Sequence, residues 1–430
     1  MTQSNNTTPT ARLSALTALE FSLDKGKPID TSWAQDQYFS SLTPPDRAFS
    51  QLLAKTTIRR LGQIDELLGR FVERKPPPRV FHILRLGAAQ LLFLNTPPHA
   101  AVNESVEMTR QVKMEKFSGL VNAVLKKVVK QGKEILAAHD EAKLNTPDWL
   151  WESWVNAYGE KKTRAIAAMH LAEPTLDISA KSDAESWAEK LGGTLLPSGS
   201  IRLTDAKNIT QLEGFDEGEW WVQDVAAALP ATLLGDVSGQ KVIDICAAPG
   251  GKTMQLAAAG AEVTAVELVK ARMNLLKINL ERVQLSANCV TADALKWTPG
   301  FTPDAILLDA PCSATGTLRK HPDVAHHRNP KDIARLKTTQ YDLLNHALEI
   351  IKPGGTVVYA VCSLQPEEGE NQISRLINER KDVKLDAVLP SEIGGLAECL
   401  TDKGELRTLP CHLLEQGGMD GFYAARLTKV

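Results

Sequence analysis

The stretch "KVIDICAAPGGKT" (residues 241–253) has the pattern of a buried strand, a tight glycine turn and the start of a helix. Similar short apolar runs follow it, separated by helical stretches: "AEVTAVEL", "NCVTADA", "DAILLDA" and "TVVYAVCS". Strands that alternate with helices predict a mainly parallel sheet covered on both faces, a doubly wound α/β domain. Ligands of such sheets bind beyond the carboxyl ends of the strands, so the residues just after each run form the candidate site.

The rest of the chain has a different texture. Apolar residues at three-to-four spacing, as in "DRAFSQLLAKTTIRRLGQIDELLGRFV", with proline-rich breaks between such runs, predict an all-α domain over residues 1–142. Helical and short strand patterns mix over residues 143–225, which predicts a small α+β bridging unit. The α/β domain, with a Rossmann-like sheet, takes residues 226–430. We therefore expect a multidomain protein.

Charge is distributed unevenly along the chain. The formal net charge is −3, yet residues 55–133 contain 15 Lys and Arg against 6 Asp and Glu, which gives +9 and leaves −12 for the rest. This part of the helical domain either attracts polyanions or has an ordinary solvated surface. Trp149, Trp151 and Trp154 begin the next helix and are expected in its core rather than stacked on nucleic-acid bases.

No segment indicates export or membrane insertion. The start, "MTQSNNTTPTARLSALTALEF", lacks a cationic region followed by an apolar one, and no apolar run is long enough to span a bilayer. The six cysteines include no C-x-x-C pair, which argues against a zinc site and against a secreted disulfide framework. We therefore expect a cytoplasmic protein with free thiols, no bound metal and no membrane partner.

Glycines and acids follow the first three strands of the α/β domain. Gly250 and Gly251 form a turn whose backbone approaches a ligand closely, and the helix after it offers unpaired amides. Glu267 ends the second strand, 17 residues after Gly250, where a carboxylate accepts hydrogen bonds from ribose hydroxyls. Asp293 closes the third strand, within reach of an adenine amino group. Because the turn is not G-x-G-x-x-G, the pattern predicts a nucleoside cofactor rather than a dinucleotide.

Two cysteines follow the fourth and fifth strands. "LLDAPCSATGT" contains Asp309 and Cys312, and "VVYAVCSLQPEEGE" contains Cys362. A single free cysteine is most often a small buried hydrophobic residue. Two cysteines at the ends of neighbouring parallel strands, one of them close to an acid, would open into the same crevice, and this placement favours chemistry.

These segments resemble a known family. "DICAAPGGKT", "LLDAPCSATG" and the Cys-Ser of "YAVCSLQPEEGEN" are similar to the signature motifs of S-adenosylmethionine-dependent RNA cytosine-5 methyltransferases. "HAAVNESVEMTRQ" and "FSGLVNAVLKKV" resemble the NusB-like domain fused to the bacterial small-subunit ribosomal RNA enzymes of the RsmB (Sun/Fmu) type. The resemblance implies an RNA-binding NusB-like domain, S-adenosylmethionine as cofactor and 16S ribosomal RNA as partner. We expect a monomer.

The resemblance also implies roles for individual residues. Cys362 is the nucleophile, Cys312 assists breakdown of the covalent adduct, and Asp309 holds the N3 edge of the cytosine. The position of Lys252, at the start of the helix after the glycine turn, leaves two interpretations: it is a cation that lowers the pKa of a neighbouring thiol or holds substrate, or it is a solvated helix residue. The residues expected to hold the cofactor lie at the strand ends: Cys246, Ala247, Ala248, Pro249, Gly250, Gly251, Lys252, Glu267, Asp293 and Asp309.

Two positions depart from the family pattern. Val361 stands where the family usually has Thr before the nucleophile, and Asp177 lies in "LDISAK", where a cationic "LRVN"-like stretch is more common. The second change removes an expected cation for an RNA contact. Further candidate phosphate contacts lie in "TLRKHPDVAHHR", namely Arg319, Lys320 and Arg328.

Three functions stay open at this point. The first is methylation of small-subunit ribosomal RNA, the second is the same reaction on transfer RNA, and the third is a NusB-like RNA-binding assembly factor with a vestigial catalytic domain. DNA cytosine methyltransferases attack from the Pro-Cys motif, which would make Cys312 the nucleophile. The second cysteine after the fifth strand favours RNA.

Overall fold

The computed structural model describes residues 10–204 and 208–430, so the predicted lack of an N-terminal leader lies in part outside the described residues. The described chain divides into two compact units. The first extends to Ala172 and includes Leu318–Asn329, and the second consists of Glu173–Thr317 and Pro330–Val430. The boundary at Ala172 falls inside the predicted bridging segment, and the bounds 1–142, 143–225 and 226–430 stay predictions.

The described part of the first unit is helical. Its helices are α1 (Ala11–Leu19), α2 (Ile29–Gln35), α3 (Gln37–Ser41), α4 (Pro44–Arg59), α5 (Leu61–Gly69), α6 (Pro78–Leu92), α7 (Pro98–Gln111), α8 (Ser118–Ala137), α9 (Glu141–Leu144), α10 (Asp148–Leu171) and α15 (Val324–His327). Helices α4, α6 and α7 each begin with proline. Proline has no backbone N–H, and it is tolerated there because the N–H groups of the first helical turn have no acceptor within the helix. Thr43 also caps α4, since its hydroxyl accepts the Asp46 amide at 3.3 Å.

The apolar faces of these helices form one core. Leu53, Leu84 and Leu125, from three different helices, are completely buried in it. Trp151 and Trp154 at the start of α10 are also buried, which confirms their interpretation as core residues, whereas Trp149 is only half-buried. Among the described residues, no helix is both long and apolar enough to cross a membrane.

The second unit begins with a small antiparallel sheet. Its strands are β1 (Leu176–Ala180), β2 (Thr194–Leu195), β3 (Ile201–Leu203) and β4 (Trp220–Val222), with α11 (Ala184–Lys190) between β1 and β2. They pair in the order β2-β3-β1-β4. Ile178, Ile201 and Trp220 pack between this sheet and α11.

The larger sheet follows in the same unit. Its elements are α12 (Val225–Thr232), β5 (Lys241–Ile245), α13 (Gly251–Ala258), β6 (Glu262–Glu267), α14 (Lys270–Arg282), β7 (Asn288–Thr291), β8 (Ala305–Asp309), α16 (Pro330–Ile350), β9 (Thr356–Val361), α17 (Glu370–Glu379), β10 (Val383–Asp386), β11 (Leu406–Arg407) and β12 (Tyr423–Lys429). The strand order is β10-β12-β9-β8-β5-β6-β7, and β11 pairs with β12.

Five strands of this sheet are parallel and confirm the predicted doubly wound α/β domain. The pattern did not predict that β12 returns antiparallel against β9 and carries β10 on its other edge. In β8 and β9, Asp309 lies opposite Ala360. The segments that follow these two strands therefore start side by side, as predicted, and these segments contain Cys312 and Cys362.

Candidate active site

The turn between β5 and α13 is held closely against its neighbours. The amides of Cys246 and Ala247 donate to the Val266 carbonyl at 2.9 and 3.2 Å. Gly250 has a φ of 109°, and a Cβ atom built on it would lie 3.1 Å from the Leu276 side chain. Glycine is therefore needed there both for the backbone angle and for the approach of α14. The first-turn amides of α13 are left as donors for an acceptor of the ligand.

Side chains of α14 fix the outer part of the same turn. Arg272 donates from Nη2 to the Ala248 carbonyl at 2.6 Å, and Asn279 donates from Nδ2 to the Pro249 carbonyl at 2.8 Å. The sequence reasoning did not identify these two residues. Their polar side chains look like those of any solvated helix, and only the fold brings them to the turn.

Glu267 ends β6 and is 3% exposed. Its Oε1 accepts the Val269 amide at 3.0 Å, whereas Oε2 lies 3.3 Å from Arg272 Nη1 and accepts no hydrogen bond. A buried carboxylate oxygen without a donor is costly, so this atom is suited to accept from a ligand hydroxyl. The residues present therefore fit the ribose of a nucleoside cofactor.

Two other acids lie at neighbouring strand ends. Asp244 in β5 is completely buried, and burial, with the charge of Asp309 adding to it, raises the pKa of its carboxyl to about 7 although Thr253 donates to it at 2.6 Å. Asp293, two residues beyond β7, is more open, and its carboxylate accepts the Leu295 amide at 3.1 Å. Asp293 thus caps a local turn, while its side chain stays 37% exposed and its Oδ2 lies 3.6 Å from Lys296 Nζ.

Lys252 and Asp309 form an ion pair in which the lysine is buried and the aspartate is half-buried. Their Nζ and Oδ2 atoms are 2.7 Å apart, and Lys252 is 7% exposed, which rules out the solvated-residue alternative. Burial alone would lower the pKa of Lys252, but the charge and the hydrogen bond of Asp309 raise it, with smaller contributions from Asp244 and Cys362. Lys252 is therefore held as a cation next to the proposed nucleophile.

The two strand-end cysteines meet. Cys312 Sγ and Cys362 Sγ are 3.3 Å apart and share a hydrogen bond. That hydrogen bond and burial raise the pKa of the Cys312 thiol well above its ordinary value, and the charges of Cys362 and Glu368 add to the effect. Cys246 differs, because burial and the charges of Asp309 and Glu267 raise its pKa to about 12, so it stays an unreactive thiol.

A buried polar cluster behind the two cysteines was missed. Glu368 is completely buried, and its carboxylate accepts from Ser313 and Ser363, each of which directly follows one of the cysteines. Arg407 donates to the Ser363 carbonyl at 2.5 Å. The repeated Cys-Ser pair and the acids of "PEEGE" were signals in the sequence, but a buried carboxylate looks there like a solvated one.

The structure shows where three residues discussed from the sequence lie, and it corrects the interpretation of one of them. Arg319 is 1% exposed inside the first unit, where Arg59 donates to its carbonyl at 2.8 Å, so its interpretation as an exposed phosphate contact is wrong. Val361 packs with its side chain completely buried in the core of the sheet. Asp177 pairs with Arg202 across β1 and β3 at 2.7 Å, both buried, so it is a structural acid.

Within residues 10–204 and 208–430, no group of three or more His, Cys, Asp and Glu side chains is arranged to hold a metal ion. The six cysteines are free thiols. The strand ends bring together the amides of a glycine turn, several acids, one buried lysine and two thiols.

Comparison with known proteins places this site in a family. The family model "16S rRNA methyltransferase RsmB/F" matches residues 231–428, and the model "NusB family" matches residues 9–130. A ribosomal RNA small subunit methyltransferase B from Vibrio cholerae is 32% identical over 440 residues, which cover 97% of each chain. A protein with the same name from Photorhabdus laumondii is 32% identical over 433 residues, covering 95% of this chain and 96% of the relative.

Solved structures agree on the fold. The crystal structure of PH0851 superposes with a TM-score of 0.77 at 22% identity, covering 97% of this chain and 98% of that one. A methyltransferase homolog protein from Pyrococcus horikoshii has a TM-score of 0.54 at 25% identity, covering 71% of this chain and 98% of that one.

Fold and site together define an S-adenosylmethionine-dependent methyltransferase with an N-terminal NusB domain. The chain belongs to the RsmB/F family of 16S rRNA methyltransferases. The family resemblance inferred from the sequence motifs is therefore confirmed.

Proposed function

We propose that the protein methylates carbon 5 of a cytosine in small-subunit ribosomal RNA through a covalent adduct with Cys362. The observation that carries the proposal is the pair of thiols 3.3 Å apart at the ends of adjacent parallel strands. Direct methylation of an activated amine or hydroxyl needs no thiol, whereas a reaction that first adds to the ring needs one group to attack and another to help release it.

Attack begins the proposed reaction because carbon 5 of cytosine is too weak a nucleophile on its own. The Cys362 thiolate adds to carbon 6, and the ring becomes an enamine-like nucleophile at carbon 5. Lys252 stabilises negative charge on the sulfur before attack, and Asp309, held by Lys252 at 2.7 Å, holds the N3 edge and favours its protonation. The ion pair fixes both groups before the base arrives.

Release of the product is assigned to Cys312. While Cys362 is free, its hydrogen bond and charge contribute to the raised pKa of Cys312. Once Cys362 is bonded to carbon 6, its sulfur no longer carries that charge, so Cys312 loses a proton more readily. The resulting Cys312 thiolate accepts the carbon 5 proton, and the Cys362 thiolate leaves as the ring double bond re-forms.

The cofactor site uses the strand ends on the other side of β5. S-adenosylmethionine supplies the methyl group, which this pathway moves to carbon 5. The turn from Cys246 to Lys252 would hold the amino-acid part of the cofactor, Glu267 would accept from the ribose hydroxyls, and Asp293 would accept from the adenine amino group. Asp309, at the carboxyl end of β8, would complete the cofactor site from the neighbouring strand.

The RNA partner is expected to contact a cationic face of the NusB domain. Four lysines of α8 are exposed and form no ion pair with any described residue: Lys126, Lys127, Lys130 and Lys133. Such lysines bind phosphates without reading sequence. The target cytosine must leave any base stack to reach both thiols, which suits a loop or an unfolded region of the RNA. We place the protein in the cytoplasm, as a monomer.

Bisulfite sequencing tests the proposal directly. Small-subunit ribosomal RNA and transfer RNA from a deletion strain are compared with RNA from strains that carry the wild-type or the Cys362→Ala chain. One cytosine of the ribosomal RNA should be protected from conversion only with the wild-type chain. Protection in transfer RNA alone would favour the second function, and identical ribosomal and transfer RNA patterns in all strains would favour an assembly factor.

A further inference from the structure

Both cysteine segments are tied to one buried carboxylate. Glu368 is completely buried in the second unit. Its Oε2 accepts from the hydroxyl of Ser363 at 2.5 Å and from the hydroxyl of Ser313. Its Oε1 accepts the amide of Ser313 at 2.9 Å. Because each serine directly follows a cysteine, one side chain connects the backbones on which both thiols are mounted.

A second side chain fixes the carboxylate from behind. Gln340 in α16 donates from Nε2 to Glu368 Oε1 at 2.9 Å and to the Pro311 carbonyl at 2.9 Å. The Gln340 amide thus binds the carbonyl of Pro311, directly before Cys312. It also binds the Glu368 carboxylate, which accepts from Ser313, directly after Cys312. The carboxylate therefore cannot move without moving the Cys312 segment.

Direct contacts between the two segments complete the connection. The Gly316 amide donates to the Cys362 carbonyl at 3.1 Å, and the Leu364 amide donates to the Thr315 hydroxyl at 3.0 Å. These two bonds connect Thr315 and Gly316 with the segment around Cys362. Glu368 instead connects the two residues that directly follow the cysteines. Losing the carboxylate would leave several buried donors without an acceptor, which buried polar groups rarely tolerate.

We propose that Glu368 is a positioning residue that sets the spacing of the two thiols in the methyltransferase reaction. This inference rests on the function proposed above, in which Cys362 and Cys312 act on neighbouring ring carbons. Glu368 acts through Ser313 and Ser363. A single acid shared by both segments keeps their separation constant, which two independent supports would not do. The charge of Glu368 also contributes to the raised pKa of Cys312, which keeps that thiol protonated before attack.

Glu368→Gln tests the proposal, because it preserves shape but replaces one acceptor oxygen with a donor facing the serine hydroxyls. The matched control is Glu367→Gln, which changes the adjacent but exposed acid. With small-subunit ribosomal RNA, we expect kcat of Glu368→Gln to fall about 100-fold, as displacement of a reacting group does. The KM for RNA and the cofactor Kd should change less than about twofold, and the control should match wild type.

A second measurement reports the thiol spacing without RNA. Phenylarsine oxide condenses with two adjacent thiols, forming two As–S bonds and releasing water, and Cys312→Ala identifies the signal from this pair. We expect its affinity to fall at least about tenfold in Glu368→Gln, because the two thiols no longer meet the arsenic together. Ser313→Ala removes one hydroxyl donor, and a smaller loss in the same two assays supports the proposal if Glu368→Gln does not fold.

The two assays separate the possible failures. A Glu368→Gln protein with wild-type kcat, or with reduced kcat and unchanged arsenical affinity, would overturn the positioning role. If Glu368→Gln does not fold, wild-type values for Ser313→Ala in both assays would overturn it. Wild-type protein that binds the arsenical through this pair but methylates no cytosine would refute the proposed function instead.

Discussion

Glu267 offers a quantitative test of the cofactor site. Its Oε2 is buried and accepts no hydrogen bond, so a ribose hydroxyl would be its main donor. A hydrogen bond to a charged acceptor contributes about 1.5–3 kcal/mol, so Glu267→Ala should raise the Kd for S-adenosylmethionine by roughly 10- to 150-fold. The same change removes the acceptor of the Val269 amide, and because Val269 is exposed and water can replace that acceptor, the free energy of unfolding should fall by only about 0.5–1.5 kcal/mol.

Isothermal titration calorimetry measures this Kd, with circular dichroism to confirm that each variant is folded. Glu262→Ala, at the exposed start of the same strand, is the matched control and should bind the cofactor like wild type. A cofactor analogue that lacks the ribose hydroxyls should bind wild type and Glu267→Ala with nearly equal affinity. An unchanged Kd for S-adenosylmethionine in folded Glu267→Ala would refute the placement of the ribose.

Further expectations concern RNA binding, acid stability and the buried ion pair of the small sheet. Filter binding measures how the RNA-binding constant K falls with salt. Alanine at all four exposed lysines of α8 should reduce the slope of log K against log salt by about 3, whereas alanine at exposed Lys381 and Lys384 should not change it. Equal slopes for wild type and the four-lysine variant would indicate a merely solvated surface. Burial lowers the pKa of His170 to about 3, so below pH 6.5 the unfolded state binds a proton that the folded state does not. The free energy of unfolding should therefore fall by about 3 kcal/mol as the pH is lowered to 4. Urea titrations should show a flatter pH dependence of this free energy in His170→Gln, and the same pH dependence in both proteins would contradict the burial of His170. Asp177→Ala should cost about 3–5 kcal/mol by leaving Arg202 buried and unpaired, and unchanged stability would contradict a structural role.

The order of elements predicted the location of the site well. Parallel strands place their carboxyl ends at one edge, so Glu267, Asp309, Cys312 and Cys362 were identified from their positions after apolar runs. The contact between the two thiols follows from the pairing of β8 with β9. These relations depend on strand direction, which the alternation of strands with helices predicted for β5 to β9 but not for β12.

Burial of charged side chains was not predictable in the same way. Arg319 lies in a cationic loop that looks solvated, yet it is buried. Asp177 has its partner Arg202 on another strand, and Glu368 meets Ser313 only after β8 and β9 have paired. In each case the partner is distant in sequence. Local charge patterns do not distinguish a solvated ion from one whose partners arrive through the fold.

The two cysteines provide the most direct test of the covalent mechanism. Cys312→Ala and Cys362→Ala proteins are incubated with small-subunit ribosomal RNA and S-adenosylmethionine and separated on a denaturing gel. Cys312→Ala should yield an RNA-linked protein band, because attack and methyl transfer proceed while release from Cys362 is impaired; Cys362→Ala should yield none. An RNA-linked band with Cys362→Ala and none with Cys312→Ala would make Cys312 the nucleophile and contradict the assigned roles.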